Sequence, residues 1–404
     1  MFHHSNKRSL YIALFIGFID YLGIGLVYPL FSSMIFDIKC PLLHPDTSHT
    51  IRGMWLGILF SLMPLAQFLT APIWGAISDS RGRKKTLQIS LLVALGGYLV
   101  AFFGVLLNSL SLLLSSRLLI GCASGNTAIV QAVIADVSKE EEKTKNFGLY
   151  SMASGMGFTL GPFCSGMLSS FHYSIPFIST TVLIVINLIF TFFFFKETHF
   201  QLFKRALSWN MGLIEMKKAF FYKGLRTLFL CSFLNYFGWS YFFEFIPVFL
   251  IFQFDFTTAD LGIFFGLAGA FYALSAGLLI RPFIKRFKPE TLFFCGLILT
   301  ALSIFLIPLN HSIHYLWPIL FLICYSTSLT TPTSTALVSN SSKMQGETLG
   351  IFSSVNAAAL IISPIASGAI VGNYPTMPMW IGGTSMLLGA SIYILTSSKK
   401  IFSR

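Results

Sequence analysis

Two long runs of the chain carry no formal charge, Leu56 to Ile77 and Thr86 to Ser116. Each can cross the ~30 Å hydrocarbon core of a bilayer, which takes about 20 apolar residues in helical form. Between them lies GAISDSRGRKKTL, residues 75–87, with one acid and four bases in a chain of which only 10% is charged. That stretch is therefore a loop between two membrane spans. Hydrophobic residues make up 55% of the 404, mean hydropathy is +0.76 and Phe alone occurs 44 times, more than a water-soluble domain can tolerate on its surface. The chain reads as an all-α polytopic membrane protein.

Apolar windows separated by polar or Gly/Pro breaks predict twelve transmembrane helices at roughly 9–36, 54–77, 86–107, 110–137, 146–170, 175–196, 224–252, 258–284, 290–309, 313–340, 347–373 and 377–397. The basic N-terminus MFHHSNKRSL resembles the start of a signal peptide, but the span behind it has no small-residue cleavage site, which predicts a retained first helix. Of the 27 Lys and Arg residues, all but Lys39, Arg52 and Arg117 fall in the termini and the even-numbered loops. The positive-inside rule then places both termini in the cytoplasm and the chain in the inner (plasma) membrane. This topology accounts for the net charge of +12, and bases spread over many short loops leave no patch for nucleic acid.

Cys122, Cys164, Cys231, Cys295 and Cys324 fall inside apolar spans and only Cys40 in an exterior loop, so no disulfide framework or CxxC metal pattern follows. The eight His residues lie in loops or near span ends and form no metal cage. Nor is there a GxxxxGK[ST], an HExxH or a loop-borne Ser/His/Asp set, which argues against an enzyme.

The longest polar break, Glu197 to Lys223, holds Trp209, Met211 and Leu213 among charges and reads either as an interfacial amphipathic helix or as a flexible linker. It divides the chain into an N-terminal six-helix half (1–196), a cytoplasmic linker (197–223) and a C-terminal six-helix half (224–404). The halves repeat each other. At an offset of 202, Pro162 pairs with Pro364, Gly166 with Gly368, Gly148 with Gly350 and Gly75 with Gly277, whereas Pro29 meets Pro247 at 218. Two pseudo-symmetric halves made by internal duplication are expected.

Twelve spans in two related halves, with a charged loop after the second, resemble the major facilitator superfamily. Gly75, Asp79, Gly82, Arg83 and Lys84 match that superfamily's loop pattern of Gly, three residues, Asp, two residues, Gly and two bases, with Ser80 standing where a first base is usual and Arg81 one place later. The resemblance implies a gating loop whose Asp latches the halves in the outward-facing state by engaging a helix end and a nearby base. Gly148, Gly157, Gly161, Pro162 and Gly166 resemble the fifth-helix motif of proton-coupled antiporters, with Ser165 in place of a Gly. Asp20 followed by Gly23, Gly25 and Pro29, with Ser32 for a second Pro, resembles the first helix of the tetracycline and multidrug proton antiporters. AQFLTAPIWGAISD and IADVSKEEEKTKNFG extend that likeness to about residue 170.

An ionisable residue inside a span costs several kcal/mol unless paired or hydrated. Asp20 lies about 11 residues into the first helix, ~16 Å along it and close to the midplane. Arg117, with Gly121 four residues on, resembles a fourth-helix Arg motif in which Ile120 and Ala123 replace a usual Gln and Gly. Asp20 and Arg117 are expected on neighbouring helices, where they form either part of a proton path or a static salt bridge. Glu244 is the third proton-coupling candidate. Around it Asn235, Tyr236, Trp239 and Tyr241 form a polar-aromatic set suited to cationic or aromatic ligands, or an interfacial belt. Tyr272, Tyr325 and Asn356 are further candidates for lining a substrate cavity, and Asp136, at the cytoplasmic end of the fourth helix, is a structural partner for loop bases.

The expected function is proton-coupled export of a small organic compound or drug by alternating access. The protein is expected to act as a monomer in the lipid bilayer on a small-molecule substrate, with the proton gradient as energy source and no cofactor. Rival readings are a proton-driven importer of a nutrient or iron chelate, and a non-transporting membrane sensor or assembly subunit. On intact cells, a membrane-impermeant thiol reagent is expected to label Cys40 but not a cysteine introduced by Ser80→Cys in a Cys-free background. Labelling at position 80 overturns the orientation.

Overall fold

The computed structural model describes residues 2–138, 140–199, 211–221, 225–340 and 345–402, and helices joined by loops, with no strand, make them up. Twelve helices follow the predicted spans: α1 Arg8–Phe36, α2 His49–Arg81, α3 Arg83–Leu106, α4 Leu110–Val137, α5 Glu140–Ser169, α6 Ile175–Phe193, α7 Arg226–Phe254, α8 Thr258–Arg286, α9 Pro289–Leu309, α10 Ile313–Val338, α11 Gly350–Val371 and α12 Met377–Thr396. Eleven are long and apolar enough to cross a bilayer. The exception, α5, has 30 residues, but Gly148, Gly155, Gly157, Gly161 and Gly166 dilute its hydropathy. Those small residues let neighbouring backbones approach. A shorter helix, Met211–Phe221, stands in the linker, and Trp209 lies outside the described residues.

Four of the spans are broken, each for a local reason. α1 stops at Val27 and resumes at Leu30, around Pro29, which has no N–H to give the ladder. α7 breaks at Glu244 and Phe245, just before Pro247, the residue that the repeat pairs with Pro29. α8 passes through a π-helical turn, Ser275–Leu279, ahead of Pro282. α4 breaks at Ser124 and Gly125, where a Cβ on Gly125 would lie 2.3 Å from the Trp74 ring. The indole N–H of Trp74 donates to the Cys122 carbonyl, and Thr70 Oγ1 reaches the same oxygen at 3.4 Å. A backbone acceptor next to the break is thus satisfied from α2, as a low-dielectric setting demands.

By contact the chain forms two compact units. One comprises Met1–Pro45, Leu62–Met211 and Thr257–Gly266, the other Asp46–Ser61, Gly212–Phe256 and Leu267–Arg404. In the first, α5 lies on α1: a Cβ on Gly161 would be 2.6 Å from Gly25 Cα, and one on Gly157 would be 2.4 Å from the Phe18 carbonyl. The first turns of α8 also join this unit, with Gly262 seated 2.7 Å from the Pro162 carbonyl by the same measure. In the second, the first turns of α2 seat on α11, a Cβ on Gly57 falling 2.3 Å from the Pro364 carbonyl and one on Gly53 2.2 Å from that of Gly368. Pro162 and Gly166 on α5 therefore do for α8 what Pro364 and Gly368 on α11 do for α2. Two pairs found at one sequence offset serve one packing task.

Cys40 is buried, 5% exposed, whereas Ile38 beside it is 62% exposed, so the outside-labelling reporter belongs at Ile38→Cys rather than at the native thiol. The glycine contacts yield a stability prediction. Gly161→Ala and Gly57→Ala push a Cβ into backbone and are expected to destabilise by about 1–3 kcal/mol. Gly148→Ala meets nothing within 4 Å and is expected to be neutral or stabilising. Thermal unfolding in detergent checks this, and equal losses at all three positions would refute the seating.

Candidate functional site

Three groups of the expected residues have distinct surroundings. The first surrounds Asp20. Its helix, α1, packs in the first unit with α4, α5 and α6. A cavity of about 250 Å³ opens there, with Asp20, Tyr21, Gln67, Tyr98, Asn126 and Thr127 among its polar lining and Ile19, Ile24, Met63 and Ile184 among its apolar lining. The break in α4 places Ser124, Asn126 and Thr127 on this wall. Asn126 Oδ1 in turn accepts from Ser90 Oγ of α3.

The Asp20 carboxylate is held by an amide. Asn187 Nδ2 of α6 donates to Asp20 Oδ1 at 2.9 Å and to the Ile16 carbonyl at 3.3 Å. Asp20 and Arg117 form no ion pair among the described residues. Arg117, 5% exposed, instead sets its guanidinium carbon 4.8 Å from the Phe31 ring centre, a cation–π distance. Tyr98 stands within electrostatic range of both charges.

The second group is at the charged-loop motif between α2 and α3. The Arg83 side chain donates to Asp136 Oδ2 at 3.0 Å, Asp79 Oδ1 at 2.8 Å and Ser78 Oγ at 2.8 Å. Asp136 is thus the partner of a loop base, as its position at the end of α4 suggests. Glu197, just after α6, accepts from the Arg83 N–H at 2.8 Å and the Lys84 N–H at 3.0 Å. Both donors belong to the first turn of α3, whose free N–H groups and dipole favour an anion. Gly82 has φ +89°, and a Cβ there would fall 2.5 Å from the Glu197 carboxylate, so the motif's second glycine meets both a conformational and a steric demand. Lys84 Nζ caps the other side by donating to the Phe192 carbonyl at 2.9 Å. Arg81 is exposed, and Ser80 Oγ turns back to the Ile77 carbonyl at 3.1 Å, so neither joins the cluster. Gly75 meets nothing within 4 Å.

The third group lies in the second unit. Glu244 is 5% exposed and sits on the break of α7, with its backbone N–H bonded to the Ser240 carbonyl at 3.1 Å. Nearby, Asn235 and Tyr241 are buried. The Trp239 ring stacks on Phe243 at 5.4 Å, and Tyr241 leans on Phe237 at 5.0 Å. Tyr236 meets Phe352 of α11 edge-on at 6.5 Å and stands in electrostatic range of Tyr272. Tyr325 packs edge-on to Phe283 at 6.2 Å. Asn356 is buried, and its Oδ1 accepts no hydrogen bond among the described residues. Within the α5 motif, Gly157, Gly161, Pro162 and Gly166 make close contacts and Gly148 is open.

Sequence reasoning missed Asn187, Glu197, Gln67, Tyr98, Asn126 and Thr127. Asn187 carried a signal, as the sole amide in the apolar run of α6. Glu197 carried none, since its role rests on the return of α6 to the start of α3.

Comparison with known proteins gives one consistent result. The sequence model of the Major Facilitator Superfamily matches residues 13–364 and 228–401. The chain is 26% identical over 394 residues to the class C tetracycline resistance protein of Escherichia coli, covering 93% of this chain and 92% of that one. It is 24% identical over 398 residues to the quinolone resistance protein NorA of Staphylococcus aureus, covering 96% of each. Among solved structures, the human organic anion transporter MFSD10 (TETRAN) superposes with a TM-score of 0.72 at 21% identity, over 96% of this chain and 99% of that one. A D-xylose–proton symporter gives 0.76 at 14% identity, over 96% and 97%.

The Glu197 contacts yield a prediction. Glu197→Ala removes the carboxylate from the first turn of α3 and is expected to destabilise by about 1 kcal/mol. It should also speed thiol labelling of a cysteine placed by Ser78→Cys, while Glu197→Gln, which keeps one acceptor, should do so less. Unchanged labelling in Glu197→Ala would mean that the Arg83 and Lys84 side chains hold the loop without it.

Proposed function

We propose, from the premise that the chain belongs to the Major Facilitator Superfamily, that this multi-pass membrane transporter exports small organic compounds in exchange for protons. The observation that carries the reading is the setting of Asp20: a carboxylate on the wall of a cavity, hydrogen-bonded by a neutral amide rather than pinned by a cation. In a low-dielectric site an ion-paired carboxylate stays ionised through the cycle, whereas one with a neutral partner can gain and lose a proton as its hydration changes. Asp20 is in this account the proton carrier. Arg117, within range of Tyr98 and parked over Phe31, sets the background field without fixing the charge state.

Export rather than import is supported by relatives whose names state resistance to tetracycline and to quinolones. Substrate recognition is assigned to both units. Gln67, Asn126 and Thr127 offer uncharged polar groups around Asp20. Glu244, Asn235, Tyr236, Trp239 and Tyr241 on α7 offer one carboxylate among ring faces, a chemistry that favours cations carrying aromatic groups. Tyr272, Tyr325 and Asn356 extend that set. Alternating access requires that the glycine seats of α2 on α11 and of α5 on α8 come apart and re-form in each cycle. In the same reading both termini are cytoplasmic, the protein works as a monomer in the inner membrane, and the proton gradient replaces any cofactor.

The test uses everted membrane vesicles with an imposed pH gradient and two probes, ethidium and tetracycline. Asp20→Asn keeps size and hydrogen bonding but cannot titrate, so gradient-driven accumulation should be lost while probe binding survives. Glu244→Gln should weaken ethidium transport before tetracycline transport. Asp20→Asn vesicles that still respond to the gradient as the parent does would make Asp20 structural and overturn the reading.

A further inference from the structure

We infer that Asn187 is the positioning residue for the Asp20 proton, its amide serving the carboxylate through Nδ2 and the neutral acid through Oδ1. The inference rests on the reading of Asp20 as proton carrier. Asn187 is fully buried at 0% exposure, on a helix that has no other amide and no charge between Ile175 and Phe193. Its Nδ2 is doubly used, on Asp20 at 2.9 Å and on the Ile16 carbonyl at 3.3 Å. Its Oδ1 is buried and accepts nothing among the described residues. A buried acceptor without a donor is expensive, by about 1–3 kcal/mol, and calls for an explanation.

A second protonation state of Asp20 supplies one. When a proton reaches the carboxylate through the cavity, an O–H bond forms and the group gains a donor. Rotation of the Asn187 amide about Cβ–Cγ then turns Oδ1 to accept that O–H. Nδ2 leaves Ile16, whose carbonyl already serves the ladder of α1. Release of the proton to the cavity reverses each step. No other covalent bond changes, and the carboxyl has a matched partner in both states. Lys or Arg at this position would match only the anion.

The neighbours leave this role open. Thr180 and Thr191 of α6 donate to the carbonyls of Pro176 and Asn187 on their own helix, at 2.9 and 2.8 Å. Titratable groups in range of Asp20 are Tyr21 on α1, Tyr98 on α3 and Tyr150 on α5, with Arg117 of α4 in range of Tyr98.

The experiment reads Asp20 protonation without any transported substrate. Dicyclohexylcarbodiimide couples to protonated carboxyls, so labelling of the Asp20 peptide of the full chain in liposomes, followed by mass spectrometry across pH, gives a titration midpoint. Asn187→Leu removes the bond to the carboxylate and the weaker one to the neutral acid, so the midpoint should rise by the difference, about half to one pH unit. Asn187→Ser, which can donate or accept, should fall between Asn187→Leu and the parent. Where Asn187→Leu fails to reach the membrane, Asn187→Ala carries the same expectation. A parental midpoint in the Leu or Ala variant overturns the inference and leaves the carrier reading standing. Labelling of the parent that does not vary with pH overturns the carrier reading itself.

Discussion

Hydrocarbon offers a peptide group no hydrogen bond, and much of this structure follows from that constraint. It makes every span a helix, and it makes any interruption something that nearby groups must repair. The breaks at Pro29, Ser124–Gly125 and Glu244–Phe245 coincide with positions where the chain needs something other than a ladder. In α4 the interruption turns Ser124, Asn126 and Thr127 toward the Asp20 cavity, and Trp74 closes over it by binding the Cys122 carbonyl. In α7 it carries Glu244. Helical irregularity is thus spent where polar chemistry is wanted, and the long spans α9, α10, α11 and α12 have no such break.

A second consequence concerns packing. Apolar burial cannot drive helix association against lipid tails that are equally apolar, so close approach of backbones has to do it. Gly25, Gly157 and Gly161 bring α1 and α5 together, and Gly53, Gly57 and Gly368 do the same for α2 and α11. The two proline–glycine pairs, on α5 and on α11, stand at one sequence offset and each makes a close backbone contact, so what repeats is a contact and not merely a composition. Contacts made mainly of small residues present little side-chain interlock, as the proposed alternating access asks of the seats of α2 on α11 and of α5 on α8.

Much of this was legible in the residues. Charge-free runs placed the spans, since a helix must have a certain length to cross hydrocarbon, and the Lys and Arg distribution numbered the loops. The loop motif was legible as a motif, but its partners were not. Arg83 finds Asp136 because α3 and α4 lie side by side, and nothing in the spacing of 53 residues announces that. Glu197 reads as the first residue of a linker, and only the return of α6 to the start of α3 makes it a cap. Asn187 was visible as an amide in an apolar helix, yet polar residues in spans serve packing as often as chemistry, and Asp20 had a more conspicuous partner in Arg117. Sequence reasoning pairs charge with charge, whereas the fold pairs the Asp20 charge with an amide.

That substitution is informative about electrostatic design. An Asp–Arg pair in a low-dielectric site gains strongly from mutual attraction, and the gain would have to be surrendered every time the carboxylate took up a proton. Separating the charges, with Arg117 against the negative face of Phe31 and Asp20 against Asn187, divides the problem into two stable parts. Arg117 lies over the Phe31 ring, and in the proposed cycle the Asn187 amide can serve the Asp20 carboxyl in both of its states. Arg83, by contrast, forms ion pairs with Asp79 and Asp136 where α2, α3 and α4 end or begin. Charge is paired with charge at the loop between α2 and α3, and with a neutral amide at the carboxylate of the proposed proton path.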